Sequence, residues 1–119
     1  SLEQAAQSGD LVAQYDLALQ HIASGRANEG AAMLRRAADR GFPMAQYRLA
    51  KLYERGEGVP PDLVAARQWT ERAAAAGNRR AMHDLGVYFA RGEGAPLDEA
   101  AAFRWFRQAA ELGVADSQY

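Results

Sequence analysis

The chain has 119 residues, 49% of them hydrophobic and 24% charged, which suits one soluble folded domain. Its formal net charge of −1 gives no electrostatic reason to expect nucleic acid or an anionic membrane as a default partner. It has no cysteine, which excludes a disulfide framework and thiolate metal sites, and no apolar run approaches the roughly 20 residues of a membrane helix.

In chain order, residues 1–9 end in "AAQSG" and read as the close of a helix. A first full helix is predicted over 10–24 ("AQYDLALQHIASG" from Ala13). The next is predicted over 28–40, with Asn28 as its N-cap and Gly41 as its left-handed stop. A helix over 43–55 leads into "RGEGVPPD", from which Asp62 caps a helix over 62–76 that stops at Gly77. A helix over 79–91 leads into "RGEGAPLD", from which Asp98 caps a helix over 98–112 that stops at Gly113.

These elements repeat. At an offset of 36 residues Ala45 matches Ala81, Leu49 matches Leu85, Ala50 matches Gly86 and Tyr53 matches Phe89. The register holds through Gly56/Gly92, Gly58/Gly94, Asp62/Asp98, Ala66/Ala102, Trp69/Trp105 and Gly77/Gly113. A shorter copy runs from Ala13, with five fewer connector residues between Gly25 and Gly30. The division is therefore 1–9 (end of a preceding repeat), 10–41, 42–77, 78–113, and 114–119 (start of another). The chain reads as a segment cut from a longer array. A helix pair cannot bury its apolar face alone, whereas stacked pairs can. The expected fold is all-α, an α-solenoid of antiparallel helix pairs. Ala50 and Gly86 are expected to let paired helices approach closely, and Trp69 and Trp105 to fill the space between pairs.

The paired glycines raise the question of a phosphate cradle. Each pair follows a helix rather than a strand, and Glu57, Glu93 and the capping aspartates would repel an anion, so a structural turn is the better reading. Glu57/Asp62 and Glu93/Asp98 lack calcium-loop spacing. His21 and His83 lie at different repeat positions, and His21 aligns with Tyr53 and Phe89, a partly buried site. No catalytic residue, cofactor or metal ligand is assigned. Arg35-Arg36 and Arg79-Arg80 are brief and balanced by acids.

The pattern A-x-x-x-L-[GA]-x-x-[YF]-x-x-G-x-G-[VA]-P-x-D, continued by Ala102, Trp105, Ala109, Ala110 and Gly113, resembles the Sel1-like repeat, a relative of the tetratricopeptide repeat. The resemblance covers essentially the whole chain. The first copy departs from it, lacking the G-x-G connector and carrying Met33 in place of tryptophan. The resemblance implies a right-handed superhelix that serves as a scaffold or adaptor. It also implies that Tyr15, Tyr47, His83 and Tyr119, which share one repeat position, face a concave groove. Met44/Arg80, Lys51/Val87 and Arg55/Arg91 would flank it, with Arg55 and Arg91 reading acidic groups. The alternative is that the tyrosines simply pack against neighbouring helices.

The implied partner is a protein or peptide, with no nucleic acid and no membrane insertion by this segment. Alanine abundance, and arginine at all but Lys51 of the 14 basic positions, suit a GC-rich bacterial genome. Lack of cysteine fits a cytosol or a periplasm equally. Arrays of this composition resemble the periplasmic repeats of bacterial polar-localisation proteins, which implies an envelope assembly. A periplasmic spacer or cell-wall module is the alternative. The β-lactam-binding members of the family are cysteine-rich, which this chain is not.

Overall fold

A computed structural model describes the backbone of residues 1–117 and the side chains of residues 1–113. The described residues form seven helices: α1 (Leu2–Gln7), α2 (Leu11–Ala23), α3 (Ala27–Asp39), α4 (Pro43–Arg55), α5 (Leu63–Ala75), α6 (Arg79–Arg91) and α7 (Glu99–Ser117). Among the described residues there is no strand. Each helix packs chiefly on its neighbours in sequence, α1 on α2 through to α6 on α7, which is the contact pattern of a solenoid.

Local chemistry sets the helix starts. The side chains of Asp10, Asp62, Asn78 and Asp98 each accept the backbone N–H three residues on, at 2.9–3.0 Å. Such a cap contributes about 1 kcal/mol. α4 has no side-chain cap, but Pro43 stands in its first turn, where a missing N–H costs nothing. The expected Asn28 cap is not formed. α3 starts after Arg26, and Asn28 lies inside its first turn. Gly25, with positive φ, makes the turn, and α3 begins two residues later at Ala27.

The expected stop at Gly113 is also not used, since α7 runs through it to Ser117. Glycine lowers the cost of a left-handed cap without imposing one. The missing side chain is used differently there: a Cβ would stand 2.9 Å from the Arg79 guanidinium.

The G-x-G connectors are structural, and each glycine has its own task. Gly56 and Gly92 take the left-handed conformation (φ 68° and 66°) and end α4 and α6. Gly58 and Gly94 also have positive φ, and they abut the first turn of the preceding repeat's second helix. A Cβ would lie 2.4 Å from the Ala27 carbonyl oxygen or 2.3 Å from that of Leu63. The connector therefore joins one pair of helices and docks on the previous pair. Arg67 strengthens one dock by donating from Nε to the Gly94 carbonyl at 3.1 Å.

The short connector has its own compensation. It draws α3 so close to α2 that a Cβ at Gly30 would meet Ile22 at 2.5 Å, whereas the equivalent Ala66 and Ala102 are buried methyls.

Alanine dominates the core, with leucine at its centre: Leu34, Leu49 and Leu85 are essentially inaccessible. Trp69 packs in the cluster with Leu34, Leu49 and Leu52, between the guanidinium groups of Arg72 at 4.3 Å and Arg35 at 5.5 Å. Trp105 packs against Ala73, Ala81 and Leu85 but stays half-buried, so it fills its space less completely than Trp69.

Candidate functional site

The first helix of each pair presents one face along the array, so α2, α4 and α6 lie side by side with equivalent residues in register. Tyr15, Tyr47 and His83 share that face; Tyr119 lies outside the described residues.

Their surroundings differ. Tyr15 is buried, edge-on to Phe42 with ring centroids 5.7 Å apart, and its hydroxyl accepts from Arg48 Nε at 3.1 Å. Tyr47 is half-buried and donates to Asp84 Oδ2 at 2.9 Å. Each tyrosine therefore reaches the next repeat at the position just after its own column, Arg48 in one case and Asp84 in the other. Both bind neighbouring helices and still border open grooves. His83 is exposed, with its ring 5.2 Å from that of Phe106.

Lys51 is not a free flanking cation. Its Nζ stands 2.8 Å from Asp84 Oδ2 and 3.6 Å from Glu54, and lies over the Tyr47 ring. Glu54 also accepts from the buried hydroxyl of Tyr88. The result is one polar chain from α4 to α6: Tyr47, Asp84, Lys51, Glu54 and Tyr88. Burial, then the bond to Asp84, raises the Tyr47 phenol above its ordinary value, and burial, then Glu54, does the same for Tyr88. Burial acts to lower the Lys51 ammonium, but Asp84 more than offsets it, so the net shift is upward.

Three grooves follow. The first, about 410 Å³, is bordered by Tyr15, Met44, Tyr47, Lys51, Arg55 and Arg80, so it gathers most of the sequence-predicted groove residues around α4, together with Arg48 and Asn78. The second, about 170 Å³, lies between α4 and α6 and takes Lys51, Val87 and Arg91 with Glu54, Asp84 and Glu93. The third, about 810 Å³, lies between α6 and α7 with His83, Arg80, Phe106 and Ala109 on its walls.

Sequence reasoning missed Arg48, Glu54, Asp84, Tyr88 and Phe106. Arg48 and Asp84 carried a signal, since they are the one repeat position beside the tyrosine column that holds charge in successive copies. Glu54 and Tyr88 carried none, because their equivalents are Ala90 and Leu52. Among the described residues, no group of three or more His, Asp or Glu could hold a metal ion, and no helix is long and apolar enough to cross a membrane.

Comparison with known proteins fits this geometry. Residues 11–42, 43–78 and 79–114 each match the Sel1 repeat. The localization factor PodJL of Caulobacter vibrioides is 44% identical over 60 residues, which is 50% of this chain and 6% of that protein, so the likeness spans a small part of it. That likeness points to a bacterial origin. A Sel1 repeat protein from Oxalobacter formigenes superposes with a TM-score of 0.87 at 36% identity, covering 94% of this chain and 87% of that one. The protective antigen c5321 of uropathogenic Escherichia coli superposes at 0.88 and 29% identity, covering 94% of this chain and 25% of its own. Helicobacter pylori cysteine-rich protein B (0.76, 24% identity, 94% and 88% covered) shares the fold. Sel1 repeat proteins are generally non-catalytic scaffolds for protein–protein interaction. With three successive repeats matched over most of its length, this chain belongs to the Sel1 repeat family.

Proposed function

We propose that this chain is a non-catalytic scaffold that holds a partner protein or peptide against the shared face of α2, α4 and α6. The observation that carries the reading is the groove along α4, where Tyr15, Tyr47, Met44, Arg55 and Arg80 meet. Tyrosine and arginine there offer broad contact area with polar tips, as in interface hot spots. Likeness to a localization factor supports a role in a bacterial localisation assembly, which this reading puts at the envelope, on its periplasmic side.

Internal symmetry supports a longer array. The α6/α7 face with Phe106, Ala109 and Gly113 is equivalent to the α4/α5 face with Thr70, Ala73 and Gly77, which α6 covers. It suits a further helix of the same pattern.

The test uses exposed positions, because Tyr47 also braces α4 against α6. Met44→Ala combined with His83→Ala is expected to lose a protein cross-linked to the wild type in a bacterial lysate, with helicity by circular dichroism unchanged. Retention of that protein by the variant would place binding away from this face, and capture of no protein by the wild type would favour a spacer that merely separates flanking parts.

A further inference from the structure

The α4 groove and the α4/α6 groove differ in charge although they are neighbours on one face. The α4 groove is bordered by Arg48, Lys51, Arg55 and Arg80 and by no carboxylate. The α4/α6 groove holds Lys51 and Arg91 against Glu54, Asp84 and Glu93. Among the described residues Arg48, Arg55 and Arg80 form no ion pair, and all three are exposed; Lys51 is paired with Asp84 and Glu54, and Arg48 spends only its Nε–H, on the neutral Tyr15 hydroxyl. A cluster of cations without counter-charges, on a chain of net charge −1, marks a local site and not a general anion-binding surface.

Spacing along the helix adds a measure. Met44, Arg48, Lys51 and Arg55 recur at intervals of three and four, so they form one stripe on α4. Arg48 and Arg55 are two turns apart, about 10 Å along the axis. That is about three residues of polyproline II chain, which returns its side chains to the same face every three residues.

We infer that the α4 groove reads a short acidic segment of a partner protein, in polyproline II form, with two carboxylates three residues apart on one face against Arg48 and Arg55. Arg80 reaches in from α6 to close the end, and Tyr47 and Met44 supply apolar contact for the intervening residues. Arg91, whose groove is shared with Glu54, Asp84 and Glu93, takes no part. A long polyanion is disfavoured, because its continuation would pass Glu54, Asp84 and Glu93.

This rests on the scaffold reading above, and the experiment separates the two. The intact chain is titrated, with arginine Nε–H resonances followed by NMR, with a glycine-serine peptide of about seven residues carrying two glutamates three apart, and with its glutamine counterpart. The glutamate peptide is expected to bind at least about tenfold more tightly at low salt, to weaken as salt rises, and to shift the resonances of Arg48, Arg55 and Arg80 but not Arg91. Arg55→Glu with Arg80→Glu should abolish it, and Arg91→Glu should leave it within about twofold, each variant keeping the wild-type urea midpoint.

Equal binding of the glutamine peptide, shifts centred on Arg91, or tighter binding of oligothymidylate or phosphatidylglycerol vesicles would each overturn the inference. If a cellular protein is captured equally by wild type and by Arg55→Glu/Arg80→Glu, this inference fails and the scaffold reading stands. If none is captured while the glutamate peptide still titrates the arginines, the acidic-segment site stands and the scaffold reading fails.

Discussion

Gly86 lies directly against the ring of Phe106, so that a Cβ at Gly86 would stand 2.7 Å from two ring carbons. In the preceding repeat the same pair is Ala50 and Thr70, and in the first it is Ala18 and Leu34. The smallest residue in this column, Gly86, faces the largest partner, Phe106, whose ring occupies the space a methyl would need. Gly86→Ala gains up to about 1 kcal/mol of helix propensity, and overpacking takes back about 1–3 kcal/mol. Net destabilisation is expected in the wild type. In a Phe106→Thr background the same change should stabilise. Urea melts of the double-mutant cycle check the reversal.

The glycines of the full connectors should also differ from the glycine of the short one. Gly25 has positive φ, and no atom lies within 4 Å of where a methyl there would stand, so alanine should cost only the left-handed penalty of about 1–2 kcal/mol. At Gly94 a Cβ meets the Leu63 carbonyl oxygen at 2.3 Å, and that oxygen belongs to backbone that cannot turn aside. Gly94→Ala should therefore lower the thermal midpoint clearly more than Gly25→Ala. Equal losses would mean the connector does not dock on α5.

Trp69→Ala should cost about 3–5 kcal/mol, the range for removing a buried tryptophan. Trp105→Ala should cost less, because Trp105 is only half-buried. Denaturant unfolding of the two single variants orders them.

The polar chain from Tyr47 to Tyr88 makes stability depend on alkaline pH. In the unfolded chain the phenols titrate near 10.0 and Lys51 near 10.5, and in the folded protein all three are raised. Groups raised on folding contribute fully below their unfolded values. That contribution is lost as pH rises through the folded ones, because the unfolded chain gives up its protons first. The urea midpoint should hold up to about pH 10 and fall beyond it. Tyr88→Phe should flatten the fall while costing stability near neutrality, because Glu54 loses its phenolic donor.

Asp84→Ala removes the acceptor of Tyr47 and the closest partner of Lys51 together. A loss of about 1–3 kcal/mol is expected at neutral pH, as for a part-buried charged acceptor. In Tyr47→Phe the same substitution should cost less, and the difference measures the coupling of α4 to α6.

The sequence by itself did not determine the docking of Gly58 and Gly94 on the preceding pair, but it determined the helix pairs, their register and the turning of the chain at the connectors. Those depend on local chemistry that recurs at a fixed offset: aspartate before a helix, glycine after one, alanine and leucine on one stripe. Local signals also misled where they permit without compelling. Asn28 can cap a helix and Gly113 can end one, but neither does, because the chain geometry at Gly25 and the packing of Arg79 on Gly113 decide otherwise.

Only the tertiary structure decided which of the face residues are available. Tyr15 and Tyr47 share a repeat position, yet one is buried and the other borders two of the grooves. Lys51 and Arg55 are both cations on α4, yet Asp84 from the next repeat engages only the first. Whether a charge is spent inside the fold or offered to a partner depends on what stands opposite it one repeat away. Residues such as Glu54 and Tyr88 meet across that gap without any shared pattern in the chain.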